Sequence, residues 1–211
     1  DRGALEAAAA LLAAGGWEVG APQETCCGGV HAQAGRSAKA QGCQRQLQTE
    51  ARDGEVLLTT ASACALELGG DAPAEAGAFL LAHAENLPAG KAAAAEFDVF
   101  VHLPCTQRRL AGGGGWVAEL LRRIPGARIR MLPGNETCCG AGGLTAFAEP
   151  ETAATLGRRK AQAAAEELGP GAVIATSNYA CRCQLGAALR AAGLANKITD
   201  PYSLLARSLA A

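Results

Sequence analysis

The pentapeptide Glu-Thr-Cys-Cys-Gly occurs twice in this chain, at residues 24–28 and again at residues 136–140. Two adjacent cysteines followed by glycine are uncommon even once. A second copy roughly half a chain length further on indicates an internal duplication. Each half of the chain is therefore predicted to carry its own site built from cysteine.

The bulk composition excludes several classes of protein. The chain has 211 residues, of which 49% are hydrophobic and 4% aromatic, and its formal net charge is −1. There is no basic stripe with interleaved aromatic residues, which argues against nucleic-acid binding. No apolar run reaches the roughly 20 residues of a membrane span, and the first residues do not resemble a signal peptide. We therefore expect a cytoplasmic protein.

The cysteines are numerous and unevenly spaced. They lie at positions 26, 27, 43, 64, 105, 138, 139, 181 and 183. Their odd number and the two adjacent pairs argue against a disulfide framework. Thiolates are the ligands that iron–sulfur clusters and zinc select. Neighbouring cysteines suit a polynuclear centre better than one small tetrahedral ion, so the pattern favours a cluster, with zinc open at one site and thiol–disulfide chemistry as an alternative.

Both halves follow the order helix, strand, double cysteine, helix, strand, cysteine. Predicted helices cover 3–14, 34–52, 74–87, 116–124, 150–168, 185–192 and 202–209; predicted strands cover 17–19, 55–59, 98–102, 127–132, 172–176 and 197–199. This alternation predicts an α/β fold of two pseudo-symmetric repeats, residues 1–96 and 97–211, each a small parallel sheet with flanking helices. Ligands collect at the carboxyl ends of parallel strands, so the cysteines are expected at that edge of each sheet.

The repeat also predicts that the two sites are unequal. In the second half Cys105 precedes the double cysteine, and its counterpart in the first half would precede Asp1. The chain is therefore expected to be a fragment whose first site is incomplete and lacks its N-terminal strand.

Longer motifs carry a resemblance to a known family. The first half reads CCGGVHAQAG over residues 26–35. The second half contains IPG at 124–126, CCGAGG at 138–143, PE at 150–151, LGRRK at 156–160 and ATSNYAC at 175–181. These segments resemble the cysteine-rich CCG domain of heterodisulfide reductase and its relatives, above all the C-terminal part of the glycolate oxidase iron–sulfur subunit.

The resemblance implies an electron-transfer subunit with no catalytic residues of its own. Relatives bind [4Fe–4S] clusters, non-cubane in heterodisulfide reductase, and act beside flavin-bearing dehydrogenase subunits. A glycolate-type 2-hydroxy-acid oxidoreductase is thus the expected complex, with peripheral association at the inner membrane through its partners. The alternatives are a heterodisulfide reductase or lactate-utilisation type of subunit, and a structural zinc or metal-free interaction module.

Carried over by position, the resemblance implies two sets of ligands. The second site would be formed by Cys105, Cys138, Cys139 and Cys181, and the remnant of the first by Cys26, Cys27 and Cys64. Two departures stand out. Many relatives have His-Asp-Pro-Cys-His where this chain has His-Leu-Pro-Cys-Thr at 102–106, which casts doubt on proton handling there. Asn178 takes the first position of the usual Cys-x-x-Cys, as in glycolate oxidase subunits.

Other polar residues receive plainer interpretations. Cys43, in mid-helix, is expected to be a small buried hydrophobe. Cys183 is either a fifth ligand or, as the safer interpretation, a packed thiol. His31 either bonds a cluster sulfur or lies on a surface loop, and His102 is expected to be a satisfied core histidine. The basic run 158–160 is expected to form a solvated helix face.

Overall fold

The computed structural model describes residues 1–23, 26–52, 54–69, 75–91, 95–110 and 112–210. Its α-helices are α1 (Arg2–Ala14), α2 (Gly29–Gln33), α3 (Ser37–Glu50), α4 (Ser62–Leu68), α5 (Ala76–Ala82), α6 (Trp116–Leu121), α7 (Thr145–Ala148), α8 (Pro150–Ala165), α9 (Tyr179–Ala191) and α10 (Pro201–Ala210). Its strands are β1 (Phe97–Val101), β2 (Ala127–Met131), β3 (Val173–Ala175) and β4 (Lys197–Thr199). Within the described ranges, no helix is long and apolar enough to cross a bilayer.

The four strands form one parallel sheet in the order β2-β1-β3-β4. Strand β1 lies in the middle, with Val99 opposite both Ile129 and Val173. Val99, Phe100 and Val101 are completely buried, as expected for a central parallel strand with helices over both faces. The predicted α/β class and the small parallel sheet of the second half are confirmed.

Helices from both halves cover this sheet. Against one face, residues of α1, α5, α6 and α10 form a core with Val99 and Val101. Against the other face, α8 and α9 pack on Phe100 and Ile174. Helices α1 and α5 come from the first half of the chain, so the first half helps to bury the sheet of the second.

The predicted strands at 17–19 and 55–59 are wrong. Trp17 instead packs its ring against Phe79 and His83, with centroids 4.9 and 5.1 Å apart. In the second segment only Thr59 pairs, through an isolated bridge to Glu75. No strand precedes Phe97 among the described residues, so neither segment has a neighbouring strand with which to form a ladder. A separate sheet in the first repeat is therefore not present in the described ranges.

Helix α9 begins six residues earlier than the predicted helix at 185–192, at Tyr179. The cause is Asn178, whose side-chain oxygen accepts hydrogen bonds from the N–H groups of Ala180 and Cys181. Asparagine is a strong N-cap because it satisfies donors that have no partner within the helix. This cap places Cys181 in the first turn of α9, just beyond strand β3.

A buried carboxylate joins the two halves. Glu75, at the start of α5, accepts hydrogen bonds from Trp116 Nε1 at 2.8 Å and Gln107 Nε2 at 3.1 Å. Burial raises the pKa of Glu75, and these two donors only partly oppose the rise. Nearby, the Gly77 N–H donates to the hydroxyl of Tyr202 at 3.2 Å. The packing of α5 on α6 and α10 is thus fixed by polar contacts as well as apolar area.

Gly77 provides a test of this packing. A Cβ at Gly77 would lie 1.9 Å from the buried ring of Trp116. Gly77→Ala is therefore expected to lower the free energy of unfolding by about 1–3 kcal/mol, the usual cost of overpacking. The measurement is urea unfolding followed by circular dichroism.

Gly42→Ala is the matched control, because Gly42 also lies within a helix but a Cβ added to it would meet nothing within 4 Å. Helix propensity alone should raise its stability by up to about 1 kcal/mol. Equal stabilisation of both variants would show that α5 does not pack on Trp116 in this way.

Candidate metal centre

The glycine of each double-cysteine motif is fixed by its backbone. Gly28 and Gly140 both adopt left-handed conformations, with φ of +80° and +88°. A Cβ at Gly28 would lie 2.6 Å from the carbonyl oxygen of Ala40, and one at Gly140 would lie 2.4 Å from that of Ala153. Only glycine combines this conformation with so close an approach. The first motif therefore packs against α3 and the second against α8. The two halves share this local structure, as the repeated sequence predicts.

In the second half, strand topology brings the four predicted cysteines together. Cys105 follows β1, the double cysteine follows β2, and Cys181 follows β3, and these three strands are neighbours in the sheet. The Sγ atoms of Cys139 and Cys181 are 3.0 Å apart. Cys138 is hydrogen-bonded to both Cys105 and Cys139. The four thiols thus form one continuous group at the carboxyl edge of the sheet, with Cys139 and Cys181 buried.

The thiols of this group share protons unequally. Hydrogen bonds with Cys105 and then Cys139 hold the pKa of Cys138 far below that of an ordinary thiol. The bond with Cys138 and then burial raise the pKa of Cys105. The bonds with Cys138 and Cys181, followed by burial, raise the pKa of Cys139. The backbone N–H of Gly140 donates to the Cys138 sulfur at 3.4 Å. The site therefore already favours a thiolate, which is the form that binds metal.

Lys160 is a neighbour of this site that the sequence interpretation missed. Its side chain is buried, and Nζ donates to the carbonyl oxygen of Thr137 at 2.8 Å. Burial lowers the pKa of Lys160, whereas the nearby Cys139 and Cys181 favour its charged form. The predicted solvated face thus holds for Arg158 and Arg159 but is wrong for Lys160. Its spacing from Ala153, Gly157 and Ala164 along α8 is the signal that could have placed it on the buried stripe.

His102 is a satisfied core histidine, as predicted. It is 1% exposed, and its Nδ1 lies 2.9 Å from the hydroxyl oxygen of Thr176. Burial, with some help from the charge of Lys160, lowers the pKa of His102 to about 3. The imidazole is therefore neutral and acts as a structural neighbour of the thiols.

In the first half, the second cysteine of the pair contacts Cys64 in helix α4. The Sγ atoms of Cys27 and Cys64 are 2.9 Å apart, which matches the contact between Cys139 and Cys181. The bond with Cys64 lowers the pKa of Cys27 to about 6, and the pKa of Cys64 is raised by the same bond and by burial. The same contact in both halves indicates that the repeat preserves the geometry of the site.

Cys26 lies in different surroundings from Cys27. Its sulfur and the ligand atoms of His31 and Cys43 all lie within 4.8 Å of one another. Cys43 was expected to be a buried hydrophobe, but it is partly exposed and belongs to this cluster. Sequence reasoning missed it because Cys43 lies outside the repeated motif, and only the packing of α2 on α3 brings it near Cys26.

Cys183 does not join the four thiols. It is exposed on α9, and its sulfur interacts with the hydroxyl of Tyr179. The packed-thiol interpretation of Cys183 is therefore wrong. The chain contains a surface cysteine that serves as a control for experiments on the buried ones.

The two cysteine regions adjoin. A Cβ at Gly143, in the second motif, would lie 1.8 Å from the side-chain oxygen of Gln33 in α2. The hydroxyls of Ser62 and Thr106 are 2.8 Å apart, and these residues lie close in sequence to Cys64 and Cys105 respectively. The flanks of both sites therefore meet at the junction between the halves.

The donor set of the second half fits an iron–sulfur cluster. It offers four thiols in contact, an N–H donor to sulfur, and a buried cation beside them. Thiolate ligands with such hydrogen bonds are the usual environment of these clusters. Four thiols are also a donor set that suits zinc.

Comparison with known families agrees with this geometry. The family model described as CCG, a cysteine-rich domain, matches residues 2–69 and 99–186. No curated protein matches the chain. Because the two matched regions cover most of the chain, this protein belongs to the CCG cysteine-rich domain family, and the predicted resemblance to that family is confirmed. Its clustered cysteines are donors capable of binding a metal, and this is the character of an iron–sulfur type of module.

The pairing of Cys27 with Cys64 can be tested by alkylation. In the metal-free protein, iodoacetamide should modify Cys27 with an apparent pKa of about 6, since the thiolate is the nucleophile. Cys64→Ala removes the hydrogen bond that favours this thiolate. The apparent pKa of Cys27 should then rise to the roughly 8.5 of a free cysteine or above it. Peptide mass spectrometry across a pH series measures both values.

Cys183→Ala is the control and should leave the profile of Cys27 unchanged, because Cys183 lies on the surface of α9. If Cys64→Ala also leaves the profile unchanged, the two sulfurs are not paired.

Proposed function

We propose that this chain is an iron–sulfur electron-transfer module of a flavin-dependent 2-hydroxy-acid oxidoreductase of the glycolate oxidase type. The observation that carries the proposal is the contiguous group of four thiols in the second half. The ligands are Cys105, Cys138, Cys139 and Cys181. When bound there, a [4Fe–4S] cluster would supply one-electron redox chemistry.

The adjacency of two ligands supports a cluster over a single ion. Cys138 and Cys139 are consecutive, yet Cys138 contacts Cys105 while Cys139 contacts Cys181. The two consecutive thiols are hydrogen-bonded to each other and each to a further thiol, and such an extended row suits the several metal atoms of a polynuclear centre. A single zinc ion would require all four sulfurs to converge on one point, which strains a consecutive pair.

The surrounding charges support electron transfer rather than acid–base chemistry. Lys160 brings a buried positive charge next to Cys139 and Cys181, and a nearby cation stabilises the more negative, reduced state of a bound cluster. His102 is held neutral and bonded to Thr176, so it is poorly suited to proton transfer. In our proposal this chain holds the electron carrier, and the chemical step on substrate takes place elsewhere.

The proposed partner is a flavin-bearing dehydrogenase subunit. Its support is the sequence resemblance to glycolate oxidase, including the LGRRK and ATSNYAC segments at 156–160 and 175–181. A reduced flavin can pass its two electrons singly to a one-electron carrier. The complex would act in the cytoplasm, in peripheral contact with the inner membrane.

A structural zinc module is the main rival, and anaerobic reconstitution with iron and sulfide distinguishes the two. We expect about four iron and four sulfide per complete site, with visible absorbance that bleaches on reduction. Cys139→Ser should abolish the iron and the colour of the second site, whereas Cys183→Ser should retain both. Colourless anaerobic protein that takes up zinc stoichiometrically and rejects iron would contradict the proposal.

The role of Lys160 gives a second test. Lys160→Met removes the buried charge and should make the reduction potential of the reconstituted protein more negative, by an amount on the order of tens of millivolts. Lys160→Arg keeps the charge and should stay close to wild type. The measurement is a redox titration followed by electron paramagnetic resonance.

An exposed charge change provides the control for that titration. Arg159 lies on the solvent side of the same helix, so Arg159→Met should shift the potential much less because solvent screens it. Equal shifts for Arg159→Met and Lys160→Met would mean that Lys160 does not act on the cluster through its buried charge.

A further inference from the structure

The first half holds a second group of metal donors beside the pair Cys27 and Cys64. The Sγ atoms of Cys26 and Cys43 and a ring nitrogen of His31 lie within 4.8 Å of one another. Around tetrahedral zinc, sulfur and nitrogen ligands lie about 3.5–3.8 Å apart, given the usual bond lengths. Small side-chain adjustments would therefore bring all three donors onto one ion.

The fold fixes where these donors stand. Gly28 is pressed against Ala40 of α3, which brings the segment containing Cys26 onto that helix. Cys43 lies three residues beyond Ala40, and residues at this spacing share a helix face. His31 lies on the short helix α2, whose end is tied to the next segment by the bond from Arg36 N–H to the His31 carbonyl at 2.8 Å.

The second half shows what the same framework looks like without these donors. Counted from the matching glycine, the position of His31 corresponds to Gly143. Ala40 and Ala153 are the helix residues that the two glycines contact, and counted from them the position of Cys43 corresponds to Leu156. Neither glycine nor leucine can bind metal through its side chain. In that half Cys138 contacts Cys105 instead, so each half gives the first cysteine of its pair a different set of neighbours.

We propose that Cys26, His31 and Cys43 form a mononuclear zinc site that is separate from the pair Cys27 and Cys64. Two thiolates and one imidazole are donors that zinc selects. Cys26 is exposed and the other two donors are partly exposed, so water completes the tetrahedron. The site ties α2 to α3 beside the double cysteine. It lies in the first half and does not depend on electron transfer by the second.

The experiment is a zinc titration of the full chain, purified metal-free and anaerobically, in competition with a chromophoric chelator. Two equivalents are expected, because the four thiols of the second half, although strained around a single ion, also take up zinc when iron is absent. Cys43→Ala and His31→Ala should each weaken one equivalent at least about 100-fold, since loss of a direct ligand exceeds the 10–100-fold cost of losing an outer-shell partner. Cys139→Ala should weaken the other equivalent, and Cys183→Ala should weaken neither.

Cobalt substitution reports the ligands directly. His31→Cys should retain tight binding and add thiolate-to-cobalt charge-transfer intensity, whereas His31→Ala should not. Circular dichroism of each variant checks that the fold is intact, and His31→Cys keeps the test decisive if an alanine variant unfolds.

Several results would contradict the proposed zinc site. One is unchanged zinc affinity in Cys43→Ala. Another is an equal loss of the same equivalent in Cys27→Ala, which would make Cys26 part of one shared centre. Iron and sulfide incorporation, measured in the same variants, reports on the second half separately. Failure of the cluster with zinc retained would contradict only the proposed function, and the reverse result would contradict only this zinc site.

Discussion

The contact between a glycine backbone and the following helix organises both cysteine sites. Gly140 lies so close to Ala153 that no side chain fits between them, and Gly28 has the same relation to Ala40. The glycine of each motif is preceded by two cysteines, and each of the two also has a partner outside the motif. In the second half those partners come from the ends of adjacent parallel strands, so the sheet assembles a group of four thiols whose members are far apart in sequence.

The two halves keep this framework and differ in what surrounds it. Both pair the second cysteine of the motif with a cysteine in a later helix, Cys64 in α4 at 2.9 Å and Cys181 in α9 at 3.0 Å. Only the second half adds Lys160 to its group of thiols, and only the first has His31 and Cys43 beside its leading cysteine. The two copies thus share one geometry, and in our proposals the differences at a few neighbouring positions suit one copy to a cluster and the other to a single ion.

Much of the fold could be predicted from local pattern. Strands β1 to β4 and most long helices follow from apolar runs bounded by glycine and proline, because these signals act over a few residues. The segments at 17–19 and 55–59 have the same local signals but are not strands, since a strand also requires a neighbour. The start of α9 was misplaced because a single side chain, Asn178, sets it through its cap.

The repeated motif and the order of the strands were enough to predict the family, the parallel α/β class and the convergence of the second-half cysteines at one edge of the sheet. Three features follow from the folded chain alone: which thiols touch, the burial of Lys160 beside them, and the position of Cys43 beside Cys26 and His31. These relations depend on how helices rotate and pack against each other. Helix packing is set by many weak contacts between distant residues, and no short stretch of sequence records them.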